Sequence, residues 1–264
     1  GQKNVTGSVS RASRFSPGEF IAPSHLLRAL AMAPAQWDVQ ARVRLARLSV
    51  LYKRGEWKSC FDAGSRDLDR AFLGHTPAAG DFAYYLLACA KHLDDGPRRR
   101  AVLRHALGNL YRLYADSRAP LTIDDRSEAL RIGREIHVSL GQLPQARVLA
   151  ETQRLLLEQG VSQARSPADA MTYSWPRAEV YVWLGRGEEL IDSLKLLVEA
   201  LPAEYDPPYR LAWVLHKLKR STEALEPIAS AESLAYGPRK SRVLSLAAEI
   251  REAAGNLVAA DATR

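Results

Sequence analysis

Six histidines, two cysteines and thirty carboxylates are the groups in this chain that could ligate a metal or move a proton. The histidines stand at His25, His75, His92, His105, His137 and His216. None belongs to an H-E-x-x-H pair, and there is no C-x-x-C pair, the spacings that put two ligands on one helix face or one turn. Cys60 and Cys89 are too few for a disulfide framework or a four-ligand zinc site. The chain has no G-x-x-x-x-G-K-[ST] phosphate loop, no G-x-G-x-x-G turn and no G-x-S-x-G nucleophile elbow. Asp94-Asp95 and Asp124-Asp125 precede helical stretches, where carboxylates cap backbone N–H groups rather than act as an acid–base pair. The expectation is a protein that is not an enzyme and uses neither metal nor cofactor.

Binding chemistry is better supplied. Residues 1–120 carry 19 basic and 10 acidic side chains, residues 121–264 carry 18 and 20, and the whole chain has a net charge of +7. A basic first half suggests an acidic partner. The plainer reading is a general abundance of arginine, 29 against 8 lysines. Arg98-Arg99-Arg100, followed by Arg104, Arg112 and Arg118 and interleaved with His105, Tyr111 and Tyr114, could meet nucleic-acid phosphates. Arginines at three- and four-residue intervals on a helix are more often a solvated face, so nucleic acid is the minor reading.

At 264 residues, with 47% hydrophobic and 25% charged side chains, the chain has the composition of a folded protein with a sizeable core. The longest apolar run, Phe82 to Ala90, is nine residues, half of what spans a bilayer. Residues 1–20, polar with Arg11 and Arg14, read as a flexible arm. Because Gly1 is not a methionine, the chain reads as trimmed, with any targeting or lipid-anchoring segment removed. Asn4-Val5-Thr6 fits a glycosylation acceptor, a weak signal alone. Cys60 and Cys89 fall in apolar helical stretches. Buried free thiols fit a cytoplasmic protein, the localisation favoured here; a disulfide is the alternative if the protein is exported to a periplasm or anchored there as a lipoprotein.

Helical periodicity begins with Leu26, Leu27, Leu30 and Ala31, continues through Leu45, Leu48, Leu51 and Tyr52, and covers most of the remaining chain. No segment alternates long enough for a strand. Helices break at Lys53-Arg54-Gly55, Asp94 to Pro97, Leu140-Gly141-Gln142, Leu184 to Gly187 and Leu218 to Ser221, and helix pairs end near Gly74 to Pro77, Pro120, Gly160 to Pro167, Pro202 and Pro238. A helix–turn–helix unit recurs every 34 to 46 residues, the mark of stacked hairpins.

The details resemble the tetratricopeptide repeat family. Pro208, Leu211-Ala212, Leu215, Ala224, Ala231 and Pro238 follow its spacing, with Lys219 at the turn. Ala178, Tyr181, Gly185, Leu190, Leu194 and Pro202 follow it with leucine replacing the small crossing residue. Gly55-Glu56-Trp57 with Cys60, Leu140-Gly141 with Ala146, and Leu246-Ala247 with Gly255 match further units. Units then start near 41, 81, 127, 171, 205 and 240; the match is good for 171–264 and looser for 21–170. The resemblance implies an all-α right-handed superhelix (α-solenoid) of about six hairpins, forming a single domain over 21–264.

In that family the first helix of each hairpin lines a concave groove that holds a protein segment. Its inward positions fall here on Arg42, Tyr52 and Lys53, then on Phe82, Tyr85 and His92, then on Arg131 and Glu135. They continue with Trp175, Glu179 and Trp183, and with Tyr209, Trp213, His216 and Lys217. Aromatic rings are typical interface anchors, though a one-position slip would turn them into core. Some family members grip a C-terminal carboxylate with Lys, Asn and Arg; the sixth places here, Ala46, Leu86, Ile132, Pro176, Arg210 and Ser245, include no Asn, which argues against that clamp. The expected function is an adaptor, scaffold or assembly factor that binds an extended segment of a partner protein, an acidic one matching the basic half. The alternatives are a nucleic-acid-associated regulator and an envelope lipoprotein assisting a secretion or pilus machine.

Overall fold

The computed structural model describes residues 37–263. The arm, Asn4-Val5-Thr6, His25 and the helical start at Leu26 lie outside them. Among the described residues all regular structure is helical, and no helix is long and apolar enough to cross a membrane.

The helices pair in chain order: α1 (Trp37–Lys53) with α2 (Trp57–Phe72), α3 (Pro77–Ala90) with α4 (Pro97–Ala115), and α5 (Ile123–Ser139) with α6 (Leu143–Ser162). Next come α7 (Pro167–Trp183) with a 3-10 turn, Gly187–Leu190, that runs into α8 (Ile191–Ala200), then α9 (Asp206–Lys217) with α10 (Leu225–Leu234) and α11 (Pro238–Ala253) with α12 (Leu257–Thr263). The six first helices begin within about four residues of the starts read from the sequence.

Local chemistry sets the ends. Proline occupies the first turn of α3, α4, α6, α7, α9 and α11, where its missing N–H has no helical partner to lose. The hairpin turns share one backbone device. Gly55 N–H donates to the Tyr52 carbonyl and Glu56 N–H to the Leu51 carbonyl, both at 3.0 Å, with Gly55 at φ 72°. The same pair of bonds recurs at Gly185 and Arg186, at Lys219 and Arg220, and at Gly255 and Asn256. This left-handed cap satisfies the last carbonyls of the first helix and reverses the chain. Lys219 makes the turn at φ 65° without being glycine. A left-handed L-residue costs about 1–2 kcal/mol, and glycine's extra chain entropy returns roughly half of that. Lys219→Gly should therefore raise the urea midpoint, by a gain of about 0.5 kcal/mol; a lower midpoint would show that the lysine side chain outweighs its backbone strain.

The described residues form two compact units. In the first, α1–α4 are joined by residues 135–141. Here α1 and α3 pack side by side and α2 packs across both. Gly64 makes the crossing possible: a Cβ there would stand 2.7 Å from Leu86 Cδ1 and 3.2 Å from Leu48 Cδ2. The second unit holds residues 126–134 and everything from Gln142 on. In it α6 packs on α7, α8 on α9 and α10 on α11, while α9 also touches α7 and α11. The crossing positions Ala178, Ala212 and Ala247 are fully buried.

One sequence expectation is corrected and one holds in part. Cys60 and Cys89 are not free thiols: they form a disulfide between α2 and α3, with Cα atoms 6.1 Å apart. Periodicity reports that both face the core, and only the helix crossing reports that they face each other. Of the acidic pairs, the second caps its helix as expected and the first does not. Thr122 caps α5 and Asp125 completes its capping box, whereas Asp95 binds Arg99 and Arg100. The arginine run is the solvated face its spacing suggested, laced with surface ion pairs: Arg98 pairs with Asp62 and Arg118 with Asp116 while staying exposed, and only Arg99 turns inward, donating to the Ala90 carbonyl and Ser139.

Candidate partner-binding faces

In the first unit a ring cluster forms where α1 ends, α2 begins and α3 ends. Tyr52 meets Trp57 edge-on at 5.1 Å and Tyr85 at 5.6 Å, and lies 6.5 Å from His92. Trp57 and His92 stack nearly parallel, 3.9 Å apart. The αL turn at Gly55 delivers Trp57 to this position by bringing the start of α2 back over the end of α1. Beside the cluster a cavity of about 130 Å³ is lined by Tyr52, Tyr84, Leu87, Lys91, His92 and Glu135, with Lys91 Nζ 2.6 Å from Glu135 Oε2. Of the residues singled out in sequence, Tyr52, Tyr85, His92 and Glu135 come together here. Lys53 and Arg42 are exposed on α1, and Phe82 is fully buried core. Trp57, Tyr84 and Lys91 were missed. Trp57 stands on a second helix, outside the groove pattern, and its neighbour Gly55 was the signal for it.

The second unit carries cations on its indoles. Trp175 on α7 lies 5.0 Å from Trp213 on α9 and stacks with Tyr209 at 6.1 Å. Arg210 lies over Trp175 at 5.5 Å, Lys217 over Trp213 at 5.7 Å, and Arg134 over Trp183 at 5.1 Å. Each such contact is worth about 0.5–1 kcal/mol where exposed, and more when desolvated. Trp183 is 39% exposed; Trp175 and Trp213 are half-buried and pack on the core with one face. Tyr209 is 8% exposed, so its ring is mostly core, and burial raises its phenol pKa.

The cations are held from behind. Arg134 donates to Gln153 Oε1 at 3.1 Å, and Gln153 donates to Ser127 Oγ at 3.1 Å, which fixes the guanidinium that covers Trp183. Arg210 is 12% exposed, pairs with Asp206 at 3.3 Å and leaves its Nε without a hydrogen-bond partner; burial lowers its pKa, yet a guanidinium stays charged at any physiological pH. Burial, then the charge of Lys217, lowers the pKa of His216, whose Nδ1 lies 3.1 Å from Ser221 Oγ. Arg131 is engaged by Glu128 at 2.7 Å, and Glu179 is half-buried on α7. Arg210 and Arg134 were absent from the candidate residues because charge alone does not mark which arginines will lie over an indole. Among the described residues no three His, Cys, Asp or Glu side chains gather as a metal site.

No protein-family model and no curated protein matches the chain. Among solved structures it is similar to MamA of AMB-1, at 18% identity over 67% of this chain and 89% of that one, with a TM-score of 0.37. MamA of MSR-1 matches at 20% identity over 67% and 87%, with a TM-score of 0.35. A putative kinesin light chain of P. anserina with nearly identical TPR-like repeats matches at 15% identity over 76% and 92%, with a TM-score of 0.46.

Proposed function

We propose that this protein is a non-catalytic interaction module that holds an extended segment of a partner protein against its first helices. The observation that carries this is the set of indoles on α7 and α9: Trp175 and Trp213 pack against the core yet stay half-buried, Trp183 is 39% exposed, and the exposed Lys217 lies over Trp213. Rings fixed this way offer apolar contact at little entropic cost, and the exposed ammonium of Lys217 over Trp213 favours a carboxylate beside them. An acidic segment is the partner chemistry that fits. Charge then steers encounter and sets the salt dependence, while ring burial sets the lifetime of the complex.

Arg42, Lys53 and Lys217 supply exposed positive charge, and Tyr52, Tyr85 and His92 supply the equivalent rings of the first unit. Asp62 and Asp95 beside Arg98, Arg99 and Arg100 offset part of the positive charge on which the nucleic-acid reading rests. The test is capture from a lysate of the native organism, wild type beside a Trp183→Ala, Trp213→Ala double variant. The expected result is a defined set of proteins on the wild type, eluting as salt rises and at least tenfold depleted on the variant, with both chains equally helical by circular dichroism. Equal capture by both chains would remove the reading.

A further inference from the structure

The disulfide and the first unit's ring cluster share two helices. Cys60 lies one turn beyond Trp57 on α2. On α3, Cys89 lies between Tyr85 and His92, one turn from each. The crossing of Gly64 against Leu86 sits one further turn along the same two faces. The covalent bond therefore fixes the two elements whose relative position decides whether Trp57 stacks on His92 at 3.9 Å. Packing alone constrains that end less: the rings are half-buried to exposed, whereas the Gly64 contact is fully enclosed.

We infer that the Cys60–Cys89 disulfide is a lock on the aromatic face of the first unit, closed in an oxidising compartment. Only the importance of that face to a partner rests on the proposed function. The compartment follows from the bond itself, since disulfides persist outside the reducing cytoplasm. Closure joins two sulfurs with the loss of two protons and two electrons. The electrons pass by thiol–disulfide exchange to a disulfide oxidant such as oxidised glutathione, which leaves as two thiols. Both sulfurs are fully buried, so exchange takes place before α2 and α3 have packed, and the closed bond is shielded from later reductants. The lock is set once, during folding.

The test uses the whole chain, produced in an oxidising compartment. Denatured without reductant, it should expose no maleimide-reactive thiol; two reactive thiols would overturn the inference. Hydrogen exchange is then compared among the oxidised chain, the same chain refolded in dithiothreitol with both sulfurs kept, and a Cys60→Ala, Cys89→Ala variant. In both uncrosslinked forms, amides of residues 52–60 and 85–92 should exchange at least tenfold faster, with Asp206–Lys217 unchanged. Unchanged exchange at 52–60 and 85–92 would mean that packing alone holds the face. Collapse of the whole helical spectrum in both uncrosslinked forms would make the bond a condition of the fold instead, and would equally overturn a lock. Neither result depends on a partner, so failure here is distinct from failure of the lysate capture.

Discussion

Replacing Cys60 and Cys89 together by alanine is expected to lower the unfolding free energy by about 3–4 kcal/mol. The two residues are 29 apart, and a cross-link closing a loop of that length removes denatured-state entropy worth about 3.6 kcal/mol at 25 °C. Loss of two fully buried sulfurs adds to this, since the enclosed site cannot collapse without moving α2 against α3. Urea titration of the oxidised wild type against the variant, followed by helical signal and by indole fluorescence, measures the difference. The effect belongs to the first unit, so a transition reporting the second unit should keep its midpoint. A loss below about 1 kcal/mol would mean that the bond constrains little of the unfolded chain.

The second large effect concerns a charge in the other unit. Glu158 on α6 accepts from Arg177 Nε at 2.9 Å and Nη2 at 3.1 Å, and from the Tyr181 hydroxyl at 2.8 Å. The Arg177 side chain is 10% exposed and that of Glu158 33%. Glu158→Ala strands a buried guanidinium and the Tyr181 hydroxyl. Breaking a fully buried pair from one side costs about 3–5 kcal/mol. Water reaches Glu158, so the expected loss is about 2–3 kcal/mol, read as a fall in the urea midpoint. A Glu158→Leu, Arg177→Met double variant removes both charges and should recover most of it. A single variant as stable as wild type would place Arg177 in contact with water or with another carboxylate.

The hairpins were legible because they are local. A left-handed turn needs glycine or must tolerate strain, a helix start welcomes proline, and a buried stripe repeats every three to four residues. These signals located all six first helices, and Lys219 was readable as an irregular turn because the residues around it kept the spacing. The ring positions Tyr52, Tyr85, Trp175 and Trp213 followed from the same spacing. What the spacing did not carry was which side chains meet across helices. Trp57 joins Tyr52 because a turn folds back; Arg210 and Arg134 cover indoles because neighbouring helices cross at particular angles; Tyr209 sinks into the core a few residues from half-buried Trp213.

The chain by itself determined an all-α array of helical pairs and a supply of rings and cations on its first helices, because helix propensity, capping and amphipathic period act over a few residues. The tertiary packing alone decided that Cys60 meets Cys89, that Arg98 of α4 reaches Asp62 on α2, and which indoles carry cations. Those outcomes are set by crossing distances between helices whose meeting residues lie far apart in sequence, as Cys60 does from Cys89 and Arg134 from Trp183, and there a shift of one residue exchanges a buried side chain for an exposed one.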